Sequence, residues 1–299
     1  MAVILDGKSL ANLIKEDLKK QVARLKEQGI TPGLAAILVG EGEGSVTYVN
    51  SKQRACEKLG IYSQVHELSE DTTQEELTNL IINLNHQAHI HGILVQLPLP
   101  GHIDKYAVMD RIHKLKDVDG FRRYNQSRLY RGEDCFEPCT PKGILTLLDY
   151  YKIPIEGKHV VIVGRSDIIG KPLYHMMLKR NATITQCHSR TADLAGYTRQ
   201  ADILVAAIGK PRYITKDMVR EGAVVIDVGI NRAYETLDGH KKIVGDVDFD
   251  NVKNIASHIT PVPYGVGPMT IVSLIQNTLK AAHIHSDLQK RQIGLASIQ

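Results

Sequence analysis

Residues Val160–Pro172 read VVIVGRSDIIGKP, and no other stretch narrows the possible folds as sharply. Val160–Val163 are four β-branched residues with no polar alternation, so the strand they predict must be covered on both faces, as in the parallel sheet of an α/β protein. Gly164 lets the chain leave that strand sharply. Gly170 and Pro172 suit the first turn of a helix, where the missing proline N–H costs nothing. A strand, a glycine turn and a helix in this order can aim N-terminal amides at an anion. The spacing is Gly164-x-x-x-x-x-Gly170 rather than G-x-G-x-x-G, so the turn alone is compatible with a nucleotide site or with an ordinary βα connection.

The same alternation extends in both directions. Upstream, strands are predicted at 2–5, 34–39, 61–68 and 92–96, with helices at 8–28, 41–60 and 73–84. Downstream, strands at 183–186, 203–206 and 224–228 alternate with helices at 172–179, 191–200 and 215–220, the pattern of a Rossmann-like unit. The fold class is therefore α/β, with two domains. Residues 121–137 lack a period and read as an irregular connection. Thr140 as N-cap and Pro141 at the first helical position open a helix over 142–151. The domain crossing falls there, giving domains 1–139 and 140–268. A strongly apolar last helix from Met269 packs back on the first domain, with a loosely held polar tail from Ser286.

With 299 residues and 43% hydrophobic content, the chain can bury a core in each domain. Its net charge of +4 comes from scattered Lys and Arg, which gives no nucleic-acid or membrane footprint but suits a small anionic ligand. No apolar run reaches the length of a membrane span, and Met1–Leu5 enters a strand directly without a signal or transit pattern, which predicts a cytoplasmic protein. Cys56, Cys135, Cys139 and Cys187 form no CxxC pair and read as reduced thiols.

Past the second strand of the Rossmann-like unit, an NAD enzyme usually places an acid about 20 residues beyond the glycine turn. This chain has Cys187-His188-Ser189-Arg190-Thr191 instead. Ser189 can donate to a phosphate and Arg165 or Arg190 can clamp it, so the chemistry favours NADP over NAD. In the first domain, Tyr48 and Lys52 lie four apart on a predicted helix and share a face. A lysine in an apolar pocket yields its proton more readily and can act as a base, although such a pair is also a common surface arrangement. Gln96 at a strand end and Asp119 in a loop would add an amide and a carboxylate to one site, or would merely satisfy backbone groups. His86, His89 and His91 straddle a helix-to-strand passage without a settled ligand spacing, so no metal is expected.

Several segments stand in order along the chain: TYVNSK, VQLPLP, KDVDG, PCTPKG, VVIVGRSxIIGKP, CHSRT, DVGIN, GDVDF and TPVPxGVGPMT. Together they resemble the bifunctional methylenetetrahydrofolate dehydrogenase/methenyltetrahydrofolate cyclohydrolase family, over about Leu5 to Ala282. The resemblance implies a homodimer whose amino-terminal domain holds folate and whose Rossmann domain holds NADP, with a cleft separating the two. It assigns Lys52 as the catalytic lysine, Tyr48 as the residue that stacks on or orients the pterin, Gln96 as the partner of the lysine and Asp119 as the pterin anchor. Gly164, Arg165, Ser166, Ser189 and Ile230 match cofactor contacts, with Thr140 near the nicotinamide. Val95, Gln96, Leu97 and the run Pro263, Tyr264, Gly265, Val266 and Gly267 match the folate site.

The implied chemistry is hydride transfer from the folate methylene carbon to NADP⁺, then addition of water to the methenyl cation and ring opening to 10-formyltetrahydrofolate. Lys52 would carry the proton in the second step. Tyr264 departs from the family, which usually has glycine there. A tyrosine cannot freely take backbone angles reserved for glycine, and its ring either swings out over the folate tail or intrudes on the pocket. Asp167, within the glycine turn, would oppose a phosphate if it pointed inward. Two other readings are a shikimate-dehydrogenase-like oxidoreductase and a catalytically silent folate- or nucleotide-binding protein.

Overall fold

The computed structural model describes residues 1–234 and 241–296, with no side-chain placement for 43, 232–241, 289 and 291–296. In chain order the elements begin β1 (Val3–Ile4), α1 (Gly7–Glu27), β2 (Gly33–Val39), α2 (Glu43–Leu59), β3 (Tyr62–Leu68), α3 (Gln74–His86), β4 (Gly92–Val95), α4 (Lys105–Met109) and α5 (Arg123–Tyr130). They continue with α6 (Cys139–Tyr150), β5 (His159–Val163), α7 (Gly170–Lys179), β6 (Thr183–Cys187), α8 (Leu194–Thr198), β7 (Ile203–Ala206) and a 3-10 turn at Lys216–Met218. The last are β8 (Val224–Asp227), β9 (Asn231–Tyr234), β10 (Lys241–Val244), α9 (Phe249–Val252), β11 (His258–Ile259) and α10 (Val266–Ala296).

The chain forms two compact units. One comprises 1–12, 129–133 and 138–270, and the other 13–128, 134–137 and 271–299. In the second of these, a three-stranded sheet of order β3-β2-β4 is parallel throughout. Every residue of β2 and β4 is buried, as an apolar run covered on both faces requires. Ile37, Ile93 and Val95 pack there against Leu77, Ile81 and Leu84 of α3. Thr73 caps α3 through a capping box with Glu76, which fixes where that helix starts.

The other unit is built on a six-stranded sheet of order β1-β11-β8-β7-β5-β6, again parallel. Val161 and Val163 of β5, Leu204 of β7 and Val225 of β8 fill its core with Ile214 and Val252. Burying each of these side chains stabilises the fold by about 1.5–3 kcal/mol.

Several local expectations are corrected. The first strand does not join the sheet of its sequence neighbours but pairs with β11, through bonds such as the Leu5 N–H to the Ile259 carbonyl at 2.9 Å. The stretch 121–137 contains α5, tied at its start by Arg123 to Asp110 at 3.0 Å. Thr140 does not cap α6: the helix starts at Cys139, and the cap position is Pro138 with no side-chain bond. The helix expected at 191–200 is only five residues, because Asp193 at φ +43 breaks the chain and caps it through the Gly196 N–H. The helix expected at 215–220 is a three-residue 3-10 turn. Ser286 is buried within α10 rather than opening a loose tail.

Candidate active site

Tyr48 and Lys52 lie one turn apart on α2, a helix entered through Gly42 and closed by Gly60 in the left-handed conformation. Lys52 is 7% exposed, and its Nζ donates to Gln96 Oε1 at 3.0 Å. The amide of Gln96 is oriented by its other end, since Nε2 donates to the Leu97 carbonyl at 2.7 Å and so turns Oε1 toward the lysine. Gln96 directly follows β4 and its own N–H donates to the Ile37 carbonyl at 2.8 Å, which places the pair at the carboxyl edge of the three-stranded sheet. Tyr48 is half-buried, and burial raises its phenol above the ordinary range. One turn beyond Lys52, burial pushes the Cys56 thiol up to about 12, so it is no nucleophile at neutral pH.

Asp119 reaches the same unit on a loop whose foundations are buried. Ile93 of β4 donates to the Lys116 carbonyl at 2.8 Å, so residues 116–118 run alongside the strand. The Asp117 carboxylate accepts from the Phe121 and Arg122 N–H groups and from Asn125 Nδ2, at 3.1, 2.9 and 2.7 Å. Burial raises Asp117 to about 6, against the pull of those bonds and with the nearby Asp119 charge adding to the rise. Asn277 of α10 donates to the Val118 carbonyl at 2.8 Å and to the Glu137 carbonyl at 2.9 Å. Asp119 itself stays half-exposed at the end of this clamped segment. Val95, expected to touch the substrate, has its side chain committed to the core, so only its main chain faces the edge; Leu97 is partly exposed.

In the other unit, Gly164 closes β5 at φ +133, and a Cβ there would lie 2.3 Å from the Ala207 carbonyl oxygen. Only glycine fits there, because the Ala207 carbonyl occupies the place of a Cβ. Gln186 Nε2 donates to the Gly164 carbonyl at 3.0 Å, and Ser166 Oγ accepts from the Ile169 and Gly170 N–H groups at 3.2 and 3.4 Å, which shapes the turn leading into α7. Arg165, Ser166, Ser189 and Ile230 are exposed. Asp167 pairs with Lys171 at 2.6 Å, so its charge is partly compensated within the turn. Thr140 Oγ1 lies 3.0 Å from Thr270 Oγ1, which ties α6 to the first turn of α10. The exposed Arg165 guanidinium and the exposed Ser166 and Ser189 hydroxyls beside a glycine turn suit a dinucleotide phosphate, with no acid in the position that would repel a 2′-phosphate.

Pro263 and Tyr264 are exposed and Gly265 is buried, while Val266 and Gly267 form the first turn of α10, which starts three residues earlier than expected. Tyr264 takes φ +86, its carbonyl accepts from the Lys8 N–H at 2.9 Å, and Lys8 Nζ stands 4.7 Å from its ring centre. The three histidines go to different partners: His86 Nδ1 to the Ile82 carbonyl, His89 edge-on to Tyr62, and His91 Nδ1 to the Gly33 N–H. The sequence gives no sign of the roles of Asp117, Asp227, Asp246 and Asn277, because a single buried acid or amide, in a loop, at a strand end or within a helix, carries no periodic signal.

Residues 5–119 match the family described as tetrahydrofolate dehydrogenase/cyclohydrolase, catalytic domain, and residues 138–286 match its NAD(P)-binding domain. The Bifunctional protein FolD of Halalkalibacterium halodurans is 56% identical over 281 residues, covering 94% of this chain and 99% of that one. That of Moorella thermoacetica is 57% identical with the same coverage. Among solved structures, the bifunctional FolD of Campylobacter jejuni is 51% identical with a TM-score of 0.90, over 95% of this chain and 99% of the other. The Trypanosoma brucei methylenetetrahydrofolate dehydrogenase-cyclohydrolase, complexed with NADP and an inhibitor, is 39% identical with a TM-score of 0.90, over 94% and 97%. A shikimate dehydrogenase from Aquifex aeolicus reaches 11% identity and a TM-score of 0.50, a likeness of fold alone.

Proposed function

The chain belongs to the tetrahydrofolate dehydrogenase/cyclohydrolase family, and we propose from that membership how its residues divide the work. The enzyme oxidises 5,10-methylenetetrahydrofolate to the methenyl compound with NADP and hydrolyses that product to 10-formyltetrahydrofolate. Bound NADP⁺ supplies the hydride acceptor at C4 of its nicotinamide. Gly164 and Ser166 receive the diphosphate region, Arg165 and Ser189 the 2′-phosphate, Ile230 the adenosine side and Thr140 the nicotinamide end. Asp119 accepts from the pterin ring N–H groups and Tyr48 orients the ring, with Val95 main chain and Leu97 lining the folate in the same unit.

Once hydride has left, the folate carbon is cationic and open to water. Lys52 Nζ takes a proton from the water as its oxygen bonds to that carbon. That proton passes to the ring nitrogen as the carbon–nitrogen bond breaks, and the second proton of the water leaves the carbinol oxygen for solvent as the carbonyl forms, so cation and water give the neutral formyl product and one released proton. Gln96 supports this by accepting one Lys52 N–H and so fixing where the amine points. That 3.0 Å bond, with the amide held from behind by the Leu97 carbonyl, is the observation that carries the reading.

The test mixes protein, 5,10-methylenetetrahydrofolate and NADP⁺. NADPH and methenyl absorbance should rise together and the methenyl signal then decay; no signal with either NADP⁺ or NAD⁺ overturns the reading. The reading includes a cytoplasmic homodimer, and a monomer by light scattering would remove the pairing from it. Among the described residues, no helix is long and apolar enough to cross a membrane.

A further inference from the structure

Two buried carboxylates, Asp227 of the DVGIN segment and Asp246 of GDVDF, have no part in the chemistry above. Asp246 is wholly buried and Asp227 is 2% exposed. The Asp246 carboxylate gathers four donors. Its Oδ2 accepts from the Ile208 N–H at 2.7 Å and the Gly209 N–H at 3.0 Å. Its Oδ1 accepts from the Lys210 N–H at 2.8 Å and Asn231 Nδ2 at 2.9 Å. Three successive main-chain donors on one carboxylate leave the 207–210 loop little freedom.

Both segments it holds lie at the carboxyl ends of strands, β7 for 207–210 and β8 for 228–231, the edge along which open α/β sheets take ligands. The 207–210 loop abuts the glycine turn, since the space a Cβ on Gly164 would need is filled by the Ala207 carbonyl. Asn231 directly follows Ile230. Behind Asp246 stands Asp227, whose carboxylate accepts from the N–H groups of Asp246, Gly229 and Val247 at 2.9, 3.0 and 2.9 Å.

We propose that Asp246 is a positioning residue for the cofactor half of the enzyme, setting the 207–210 loop and the Ile230–Asn231 segment at the separation that NADP binding requires. It serves the dehydrogenase step and not the hydrolytic one, because three of its four partners are main-chain groups of the loop that abuts the glycine turn and the fourth, Asn231, directly follows Ile230. The inference rests on the NADP reading of this edge. A buried acid that only stabilised the fold would support both activities alike.

Asp246→Asn keeps the shape and replaces one acceptor by a donor. Turned toward Ile208 and Gly209, the new NH2 group would orphan two main-chain N–H groups; turned toward Lys210, it orphans one and Asn231 can flip its own amide to compensate. The second orientation is therefore preferred, and it displaces Lys210 and Asn231. The KM for NADP⁺ should rise by about tenfold. The KM for methylenetetrahydrofolate, and the rate of hydrolysis of methenyltetrahydrofolate supplied directly without NADP, should stay within about twofold. Asn231→Ala removes a single donor and should raise the NADP⁺ KM less, by about threefold.

An unchanged NADP⁺ KM in Asp246→Asn, or a parallel fall of both activities, overturns the inference. If Asp246→Asn does not fold, Asn231→Ala decides: a selective rise supports the proposal and no rise overturns it. A wild-type enzyme that reduces no NADP⁺ would instead fail the NADP reading itself.

Discussion

Replacing Tyr264 by glycine and by alanine separates backbone strain from side-chain contact at one position. Tyr264 sits at φ +86, a conformation that costs a residue with a Cβ about 1–2 kcal/mol. The residue is 55% exposed, and its ring meets the Lys8 ammonium at 4.7 Å, worth about 0.5–1 kcal/mol at an exposed site. The bond from the Lys8 N–H uses the Tyr264 carbonyl and survives either substitution. Alanine keeps the strain and loses the ring, so Tyr264→Ala should destabilise by about 0.5–1 kcal/mol. Glycine loses the ring but sheds the strain, at a cost of about 0.5–1 kcal/mol in unfolded-state freedom. Tyr264→Gly should therefore lie within about 1 kcal/mol of the wild type and above Tyr264→Ala by roughly 0.5–1 kcal/mol. At an ordinary position the order is reversed, with alanine the more stable. Urea unfolding read by both fluorescence and circular dichroism measures the order, provided the two probes coincide and m is unchanged. Alanine equal to or above glycine would refute the strain argument.

Lys52→Met should reduce methenyl hydrolysis by about 10²–10⁴-fold, measured by decay of methenyl absorbance; full hydrolysis in this variant would remove Lys52 from the mechanism. Ser189→Asp sets a carboxylate where the 2′-phosphate would sit, so the NADP⁺ KM should rise by more than about tenfold while NAD⁺ is little affected; equal effects on the two would place the phosphate elsewhere. His91 and His285 are both lowered to about 4, chiefly by burial, with Lys116 and His89 adding repulsion at His91 and His91, Lys116 and His113 adding it at His285. Their folded values lie below the ordinary 6.5, so the unfolded chain takes up these protons first, and the stability they contribute is full above about 6.5 and is lost as pH falls toward 4. His285→Gln should flatten that acid limb in urea midpoints, and an unchanged slope would count against it.

The parts legible in the sequence are those with a short-range physical cause. An unbroken apolar run such as Val160–Val163 has to be a doubly covered strand, and Gly164 has to follow it because any Cβ would strike Ala207. Tyr48 and Lys52 share a face by helical periodicity alone. What stayed hidden depends on partners far along the chain. The two-residue β1 is defined by bonds to residues 257 and 259, and nothing in Val3–Ile4 names that partner. The helix α5 has few apolar side chains to give a period, and Asn125, buried inside it, is held by Asp117. Asp246 and Asp248 stand two apart in one motif, yet one is wholly buried and the other partly exposed; only the loop at 207–210 distinguishes them.

The two units meet the same demand with the same device. A loop at the carboxyl edge of a parallel sheet must hold its shape although its own main chain lacks ladder partners, and apolar packing is non-directional and cannot assign each N–H an acceptor. A buried carboxylate can, because two oxygens accept several N–H bonds at fixed angles. Asp117 does this for the loop that carries Asp119, and Asp246 for the 207–210 loop beside Gly164. The cost is desolvation, visible in Asp117 raised to about 6 and Asp227 to about 7, each chiefly by burial. The device also explains two glycines. A Cβ on Gly229 would lie 2.2 Å from Asp246 Oδ1, and one on Gly245 would lie 1.8 Å from Asp227 Oδ2. The spacings DVG and GDVD therefore follow from the volume of two carboxylates, each of which occupies the place of the other segment's side chain.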